Sequence, residues 1–391
     1  MPYQEPSRLL SILMISPQFR PIVGGYERAA ELLSLALAKR GHEVCVVAER
    51  RNPTWPKIED FGRVTLCRWW CLYRPHFHIL SSLLGLSGYL LRNGRRFDVW
   101  HIHQYGIHAA VAVVLGKIMG RPVVMKLTSS SDQGLSGMVS QLRFPRLMTT
   151  VLRRVDAVVA LSRETVAEAL AFGIPRVRVH LLGNGLDTEK YSPTEQLNRA
   201  TIKDALGLGN LSVALFVGRL SNAKNPVGLL QAWYIIKDTL PADWKLVLVG
   251  DGPIRPAVES SIDELGLSSR VVIAGQRDDT DQWMKAADIY VLPSHREGLS
   301  NALLEAMATG LPIVATRVSG VSELVDETGA GFVVDVDDMK GLGQAMLRLG
   351  CDPALRASMG NRARHVVKCR FSINRVATAH VELYHQLIGG S

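Results

Sequence analysis

Short apolar runs alternate along this chain with segments whose apolar positions recur every three to four residues. The runs predict strands at 10–15, 43–48, 63–69, 98–102, 122–127, 156–160 and 177–181, with helices between them, for example at 26–40, 106–119 and 163–172. The second half repeats the alternation. Strands are expected at 212–217, 245–249, 271–274, 288–292, 312–315 and 331–334, separated by helices at 226–237, 254–265, 280–286 and 300–308. Alternating strands and helices build parallel sheets covered on both faces, so the expected class is α/β with two doubly wound parallel sheets. The pattern breaks between 187 and 209, where YSPTEQ (191–196) intervenes, and this suggests domains at 1–190 and 191–372. The tail FSINRVATAHVELYHQLI (371–388) is an amphipathic helix. Near the N-terminus the apolar stretch Leu9 to Ile15 is too short to span a bilayer and reads as the first strand.

Composition narrows the picture. With 391 residues, 47% hydrophobic and 21% charged, the chain is globular and long enough for two ordinary domains. Its five cysteines include no C-x-x-C pair. Cys67 and Cys71 flank a tryptophan pair and show no histidine at metal-ligand spacing, so packed, reduced thiols and a cytosolic setting are expected. Residues 1–190 carry 25 Lys and Arg against 14 Asp and Glu, whereas the remainder carries 20 against 22. The positive field therefore belongs to the first half and points to an anionic partner. No interleaving of basic and aromatic residues supports nucleic acid. An acidic membrane surface or a phosphorylated acceptor fits better. The segments 76–96 and 137–154 mix apolar stripes with Arg92, Arg95, Arg96, Arg143, Arg146, Arg153 and Arg154. They read either as core-facing helices with basic outer faces or as a peripheral membrane-docking surface.

The densest candidate chemistry lies in SHREGLSNALLEAMATGLPIVAT (294–316). A buried strand ends at VLPS (291–294), a glycine turn follows at Gly298, and a helix begins at 300–301 with Ser300 or Asn301 as its cap. A helix start attracts phosphate. Glu297 in the loop and Glu305 one turn into the helix offer acceptor oxygens to hydroxyl groups. The plainer reading is a capped helix with a solvated glutamate. In LFVGRLSNAKNP (215–226), Arg219 and Lys224 project from the loop between a strand and a helix. Arg supplies a fork and Lys a point charge, which together suit a diphosphate. LVGDGP (248–253) places Asp251 on a glycine turn, and IAGQRDD (273–279) places Arg277 after the next strand. Gly24 and Gly25 precede the first helix, where backbone amides can approach phosphate closely.

The E-x7-E spacing within S-x-x-E-G…L-L-E-A-M-A-x-G-x-P-I-V-A-T closely resembles the donor-site signature of retaining glycosyltransferases of family 4. G-R-L-x-x-x-K at 218–224 matches that family's phosphate-binding loop. The resemblance implies a GT-B architecture: two Rossmann-like domains facing a cleft, with the C-terminal helix (373–388) packed back on the first. It implies a nucleotide-diphosphate sugar as donor, transferred as a hexosyl unit to an acceptor hydroxyl in polysaccharide or glycolipid synthesis. Arg219 and Lys224 would hold the diphosphate, Glu297 the sugar hydroxyls and Glu305 the ribose diol. Gly24 and Gly25 would match the first loop that closes over the donor, Asp251 would lie near the nucleotide, and Arg277 would stack on its base.

DVWHIHQYG (98–106) sets His101 and His103 on one strand face. His101 reads as a packed core histidine. His103 matches the family's active-site histidine, which contacts the donor sugar near the transferred carbon. The implied reaction needs no metal and no cofactor, and Asp335 and Asp337 read as turn or cap residues. In VVMKLTSSSDQG (123–134), where many relatives have a histidine, Lys126, Ser130 and Asp132 are acceptor candidates. Asn184 of the N-G-x-D turn GNGLD (183–187) is another, or simply fits the turn. Two competitors remain at this stage: a nucleotide-sugar epimerase of the same architecture, and a non-catalytic nucleotide-sugar or lipid-binding module. The reading also implies a cytoplasmic location, with the inner membrane face as a peripheral surface.

Overall fold

The computed structural model describes residues 8–22, 24–75, 77–128 and 134–390. These form two compact units. The first runs to Gly185 and resumes at Ile373; the second is Leu186–Ser372. The division expected after residue 190 thus falls after Gly185. The second unit begins and ends at one place, because the Leu186 N–H donates to the Phe371 carbonyl at 2.8 Å and Leu186 bridges to Ser372.

The first unit holds eight strands: β1 (Ser11–Ile15), β2 (Glu43–Glu49), β3 (Ile58–Phe61), β4 (Val64–Trp69), β5 (Val99–Ile102), β6 (Val123–Leu127), β7 (Ala157–Ala160) and β8 (Val179–Leu181). Their order is β3-β4-β2-β1-β5-β6-β7-β8. All pair in parallel except β3, which forms an antiparallel edge hairpin with β4. The wholly parallel expectation fails there because IEDF is short and polar, and its partner is only a two-residue turn away. Alternation along the strands separates two cores. Leu13 and Ile15 of β1 face the side lined by Leu86, Leu90, Ala109 and Val113, from helices His78–Asn93 and Ile107–Met119. Ile12 and Met14 face the side lined by Ala30, Leu33, Ala377 and Tyr384, from helices Gly25–Lys39 and Ile373–Gly389.

The second unit holds β9 (Ser212–Val217), β10 (Trp244–Val249), β11 (Val271–Gly275), β12 (Ile289–Leu292), β13 (Ile313–Thr316) and β14 (Gly331–Val334), in the order β11-β10-β9-β12-β13-β14 and parallel throughout. Helices Gln196–Ala205, Met339–Cys351 and Pro353–Arg370 lie outside the predicted set. Gln196–Ala205 buries none of its residues and lies in the stretch where the strand–helix alternation breaks. Segment 137–154 is likewise not one helix: the first helix ends at Ser140, and Pro145 opens a new one (Pro145–Leu152).

Candidate active site

The strand order of the second unit reverses between β9 and β12. Ligands in open α/β sheets bind beyond the strand ends at such a reversal. The loops leaving these two strands carry Arg219, Lys224 and Glu297. They are joined by the His295 N–H donating to the Ala223 carbonyl at 2.9 Å. Lys224 Nζ forms an ion pair with Glu297 Oε1, and Ser294 Oγ donates to the same oxygen at 2.8 Å. Ser294 is fully buried, and its carbonyl accepts from Thr316 Oγ1 at 2.5 Å, which fixes the turn from beneath. Ser300 caps helix Asn301–Ala308, accepting from the Leu303 N–H at 3.3 Å. Gly298 lies half-buried in the turn and Asn301 is the first helical residue.

Glu305 is 5% exposed. Tyr290 of β12 is fully buried, and its hydroxyl donates to the Val217 carbonyl at 3.4 Å. Burial first, and then the negative charges of Glu297 and Glu305, push its hydroxyl well above the ordinary range. Tyr290 escaped the sequence reading; its only signal is a hydroxyl-bearing residue in the aliphatic strand IYVL. Arg219 is exposed and pairs with no carboxylate among the described residues. The loops after β9 and β10 touch backbone to backbone. A Cβ on Gly250, at φ +139°, would meet the Gly218 carbonyl oxygen at 1.9 Å, and one on Gly252 would meet that of Leu220 at 2.3 Å. This close approach explains the glycine turn. Asp251 and Arg277 have local partners: Asp251 pairs with Arg255 at 2.8 Å, and Arg277 holds Asp279 through two bonds of 2.8 and 2.9 Å. Asp337 binds His295 and Asp335 binds Arg317.

The sheet of the first unit reverses between β1 and β5, and His103 stands just past the end of β5. It is 1% exposed and stacks on His101 with ring centroids 4.5 Å apart; His101 in turn stacks on His380 of the C-terminal helix at 5.4 Å. His101 Nδ1 lies 2.6 Å from the Tyr384 hydroxyl. His103 Nε2 lies 3.2 Å from Met14 Sδ, while its Nδ1 is buried without a partner. Burial, reinforced by the charge of Lys126, holds His101 and His103 well below the usual imidazole value and His380 at about 4, so the stack is neutral. Lys126 is 5% exposed, and burial lowers its ammonium to about 8. Thus His101 is a core histidine, but one member of a buried cluster. His380 and Tyr384 were invisible as partners because they lie at the far end of the chain.

Gly24 caps the first helix, but the carboxylate of Glu27 folds back against it: a Cβ on Gly24 would meet Glu27 Oε2 at 2.4 Å. Gly25 begins that helix. Burial raises the Glu27 carboxyl above its ordinary value. Asn184 is buried, and Gly185 packs so closely on Ile373 that a Cβ would meet its Cδ1 at 2.4 Å. Ser130 and Asp132 lie outside the described residues. Cys71, expected to have no histidine at metal-ligand spacing, instead groups with His78 and Glu49, their ligand atoms lying within 4.8 Å of one another. Glu49 is already held by Arg51 at 2.7 Å, His78 at 3.1 Å and Ser82 at 2.6 Å, so this knot anchors the start of helix His78–Asn93. That helix does not have a merely basic outer face: Ile79, Leu80, Leu84 and Leu91 are each more than 60% exposed beside Arg92, Arg95 and Arg96. No helix among the described residues is long and apolar enough to cross a membrane.

Two α/β units of this topology define the GT-B architecture. The family profile described as glycosyl transferases group 1 matches residues 212–352, and that of the glycosyl transferase 4-like domain matches 24–185; the chain belongs to this family. It is 30% identical over 308 residues, 75% of this chain and 81% of the other, to the lipopolysaccharide core biosynthesis mannosyltransferase LpsB of Rhizobium meliloti. It is 26% identical to the UDP-Gal:alpha-D-GlcNAc-diphosphoundecaprenol alpha-1,3-galactosyltransferase of Escherichia coli, covering 95% of this chain and 96% of that one. Among solved structures, Anabaena HepE in complex with UDP-glucose superposes with a TM-score of 0.79 at 21% identity, over 96% of this chain and all of the other.

Proposed function

We propose that this glycosyltransferase is a retaining enzyme that moves a hexosyl unit from a nucleotide-diphosphate sugar to an acceptor hydroxyl, in polysaccharide or glycolipid assembly. The observation that carries the reading is the Lys224–Glu297 pair on two loops joined backbone to backbone at the reversal of the second sheet, with Glu305 buried in the helix that follows. Arg219 and Lys224 neutralise the diphosphate and stabilise its departure. Glu297 hydrogen-bonds sugar hydroxyls, and Glu305 takes the ribose diol. Neutral His103 orients a sugar hydroxyl rather than acting as a cation. The acceptor hydroxyl arrives on the face the diphosphate leaves, and its proton passes to the leaving oxygen. These cations supply the charge the step needs, so turnover should survive a chelator. The E. coli relative uses a UDP sugar and a lipid-linked acceptor, which supports the donor class and the glycolipid setting.

A thermal-shift series with UDP, GDP and ADP tests the donor site, since a bound product raises the melting temperature in proportion to its occupancy. Failure of all three to raise it, alongside no release of nucleotide from any sugar donor, would remove the reading. A second surface carries its own proposal: the exposed Ile79, Leu80, Leu84 and Leu91 with their flanking arginines suit docking on an anionic membrane, where apolar insertion and charge attraction add.

A further inference from the structure

We propose that Lys126 is the counter-charge for an anionic group, a carboxylate or a phosphate, that the acceptor carries beside the hydroxyl to be glycosylated. This rests on the glycosyltransferase reading and names the chemical class of its acceptor. In the parallel pairing of β5 and β6, His101 stands opposite Val124 and Ile102 opposite Met125. The next step sets Lys126 beside His103 on the same face. Its neighbour across β7 is the apolar Val159, and the ionisable side chains its charge acts on are His101, His103 and His380, with Tyr384 packed edge-on against His101 and His380. None of these bears a negative charge. Burial keeps the histidines unprotonated and the Tyr384 phenol protonated.

An ammonium in such a place is costly unless something balances it. Elsewhere this chain balances its sheltered cations. Arg68 meets Glu59 at 2.8 Å and the carbonyls of Pro56 and Arg20 at 3.0 Å; Lys203 meets the Leu211 carbonyl at 2.6 Å and Asp288 at 3.4 Å; Lys224 meets Glu297. Lys126 pairs with no carboxylate among the described residues. Beside it is a second unmet demand. A thioether only accepts, so His103 donates its Nε2–H to Met14, and its Nδ1 is left as an acceptor without a donor. His380 donates Nδ1–H to the Val376 carbonyl at 2.8 Å, so its buried Nε2 is also an unused acceptor. A cation next to open acceptors matches a molecule presenting an anion and a hydroxyl side by side. A neutral sugar hydroxyl would satisfy the histidines and leave the lysine uncompensated.

The test uses the full chain with saturating UDP, which fills the donor cations so that added anions report elsewhere. Inorganic phosphate, succinate and, as a neutral control, glycerol are titrated while melting temperature is followed for the wild type, Lys126→Met and Lys126→Gln. Phosphate or succinate should stabilise the wild type, with half-saturation about tenfold weaker or worse in both variants, and glycerol should be silent. Phosphate alone active indicates a phosphorylated acceptor; succinate alone indicates a carboxylate. Equal response of wild type and variants, or none to either anion, overturns the proposal. The UDP shift itself should be unchanged by Lys126→Met. Loss of that shift in the variant would move Lys126 to the donor and overturn the assignment, whereas absence of a UDP shift in the wild type counts against the donor reading instead.

Discussion

Lys224 and Lys126 both stand past or at the carboxyl ends of strands beside a sheet reversal, yet they are kept in opposite ways. Lys224 is paired with Glu297 and retains a quarter of its side-chain exposure. Lys126 is buried beside neutral rings and pairs with no carboxylate among the described residues. A paired cation is inexpensive to hold, but a ligand must share it with its partner. An unpaired buried cation destabilises the free protein, and that cost is recovered when an anion binds. On the proposed reading the two lysines serve different halves of the reaction: Lys224 is balanced in advance, and Lys126 waits for its counter-ion.

The donor loops offer the largest effect with which to break this comparison. Glu297→Ala, Lys224→Ala and Arg219→Ala should each lower kcat/KM by about 10²- to 10³-fold, the scale of losing one preorganised stabilising group. Stability should separate them. Lys224→Ala strands a sheltered carboxylate and should cost about 1–3 kcal/mol, while Arg219→Ala, exposed and unpaired, should leave the melting temperature unchanged. Steady-state kinetics with parallel melting curves check this. Full turnover in all three variants removes the site, and an equal loss of stability for Arg219→Ala shows that this arginine has a structural partner in the folded chain.

Lys126 should do the reverse. An ammonium lowered to about 8 from an ordinary 10.5 destabilises the fold by up to about 3 kcal/mol at neutral pH. The sign follows from proton binding. Below pH 8 the lysine is charged in both states and the cost is complete. Between pH 8 and 10.5 the unfolded chain binds the proton that the folded one has lost, so stability rises with pH. Lys126→Met should therefore melt higher than the wild type at pH 7, by an amount that shrinks as pH climbs through that window. A variant that melts lower at pH 7 would mean the lysine already has its counter-ion.

The sequence disclosed the donor side far better than the acceptor side, and the reason is distance along the chain. Arg219, Lys224, Glu297 and Glu305 sit in strand–loop–helix segments whose glycines, prolines and cap residues are local signals, so their placement near one sheet reversal could be read from pattern. Tyr290, whose hydroxyl feels the charges of both glutamates, was hidden because an aromatic residue in a buried strand looks like core. His101, His380 and Tyr384 meet only because the last helix returns to the first unit, and no local pattern foretells a ring stack between such remote segments. The edge strand β3 was missed because its residues are polar and partly exposed, and the break after Ser140 because apolar residues continue on both sides of Pro145. The Gly24 helix start was legible as a helix start, but not that Glu27 would fold back and occupy it.

A smaller effect sharpens the donor half. Glu305 is assigned to the ribose diol rather than to the reacting centre, so Glu305→Gln should weaken UDP binding by about 1.5 kcal/mol, roughly tenfold, and change kcat little. Calorimetry with UDP and kinetics at saturating donor separate the two quantities. A fall in kcat with unchanged UDP affinity would place Glu305 at the chemistry and leave the ribose without its acceptor.

The smallest effects belong to the exposed face of helix His78–Asn93, where no single residue is expected to dominate. Each basic residue near an anionic surface contributes about 1 kcal/mol and loses it as salt rises, whereas an inserted leucine contributes through buried area and does not. Arg95→Gln should therefore reduce flotation with phosphatidylglycerol vesicles at low salt and make no difference at high salt. Leu84→Ser should reduce it at both. If the wild type does not float even at low salt, the face is not a membrane surface. If it floats but only the arginine matters, the leucines stay outside the lipid and the attachment is purely electrostatic. Neither outcome touches Lys126, which is buried on the opposite face of the same sheet, so the acceptor pocket and the docking surface can be tested without confounding one another.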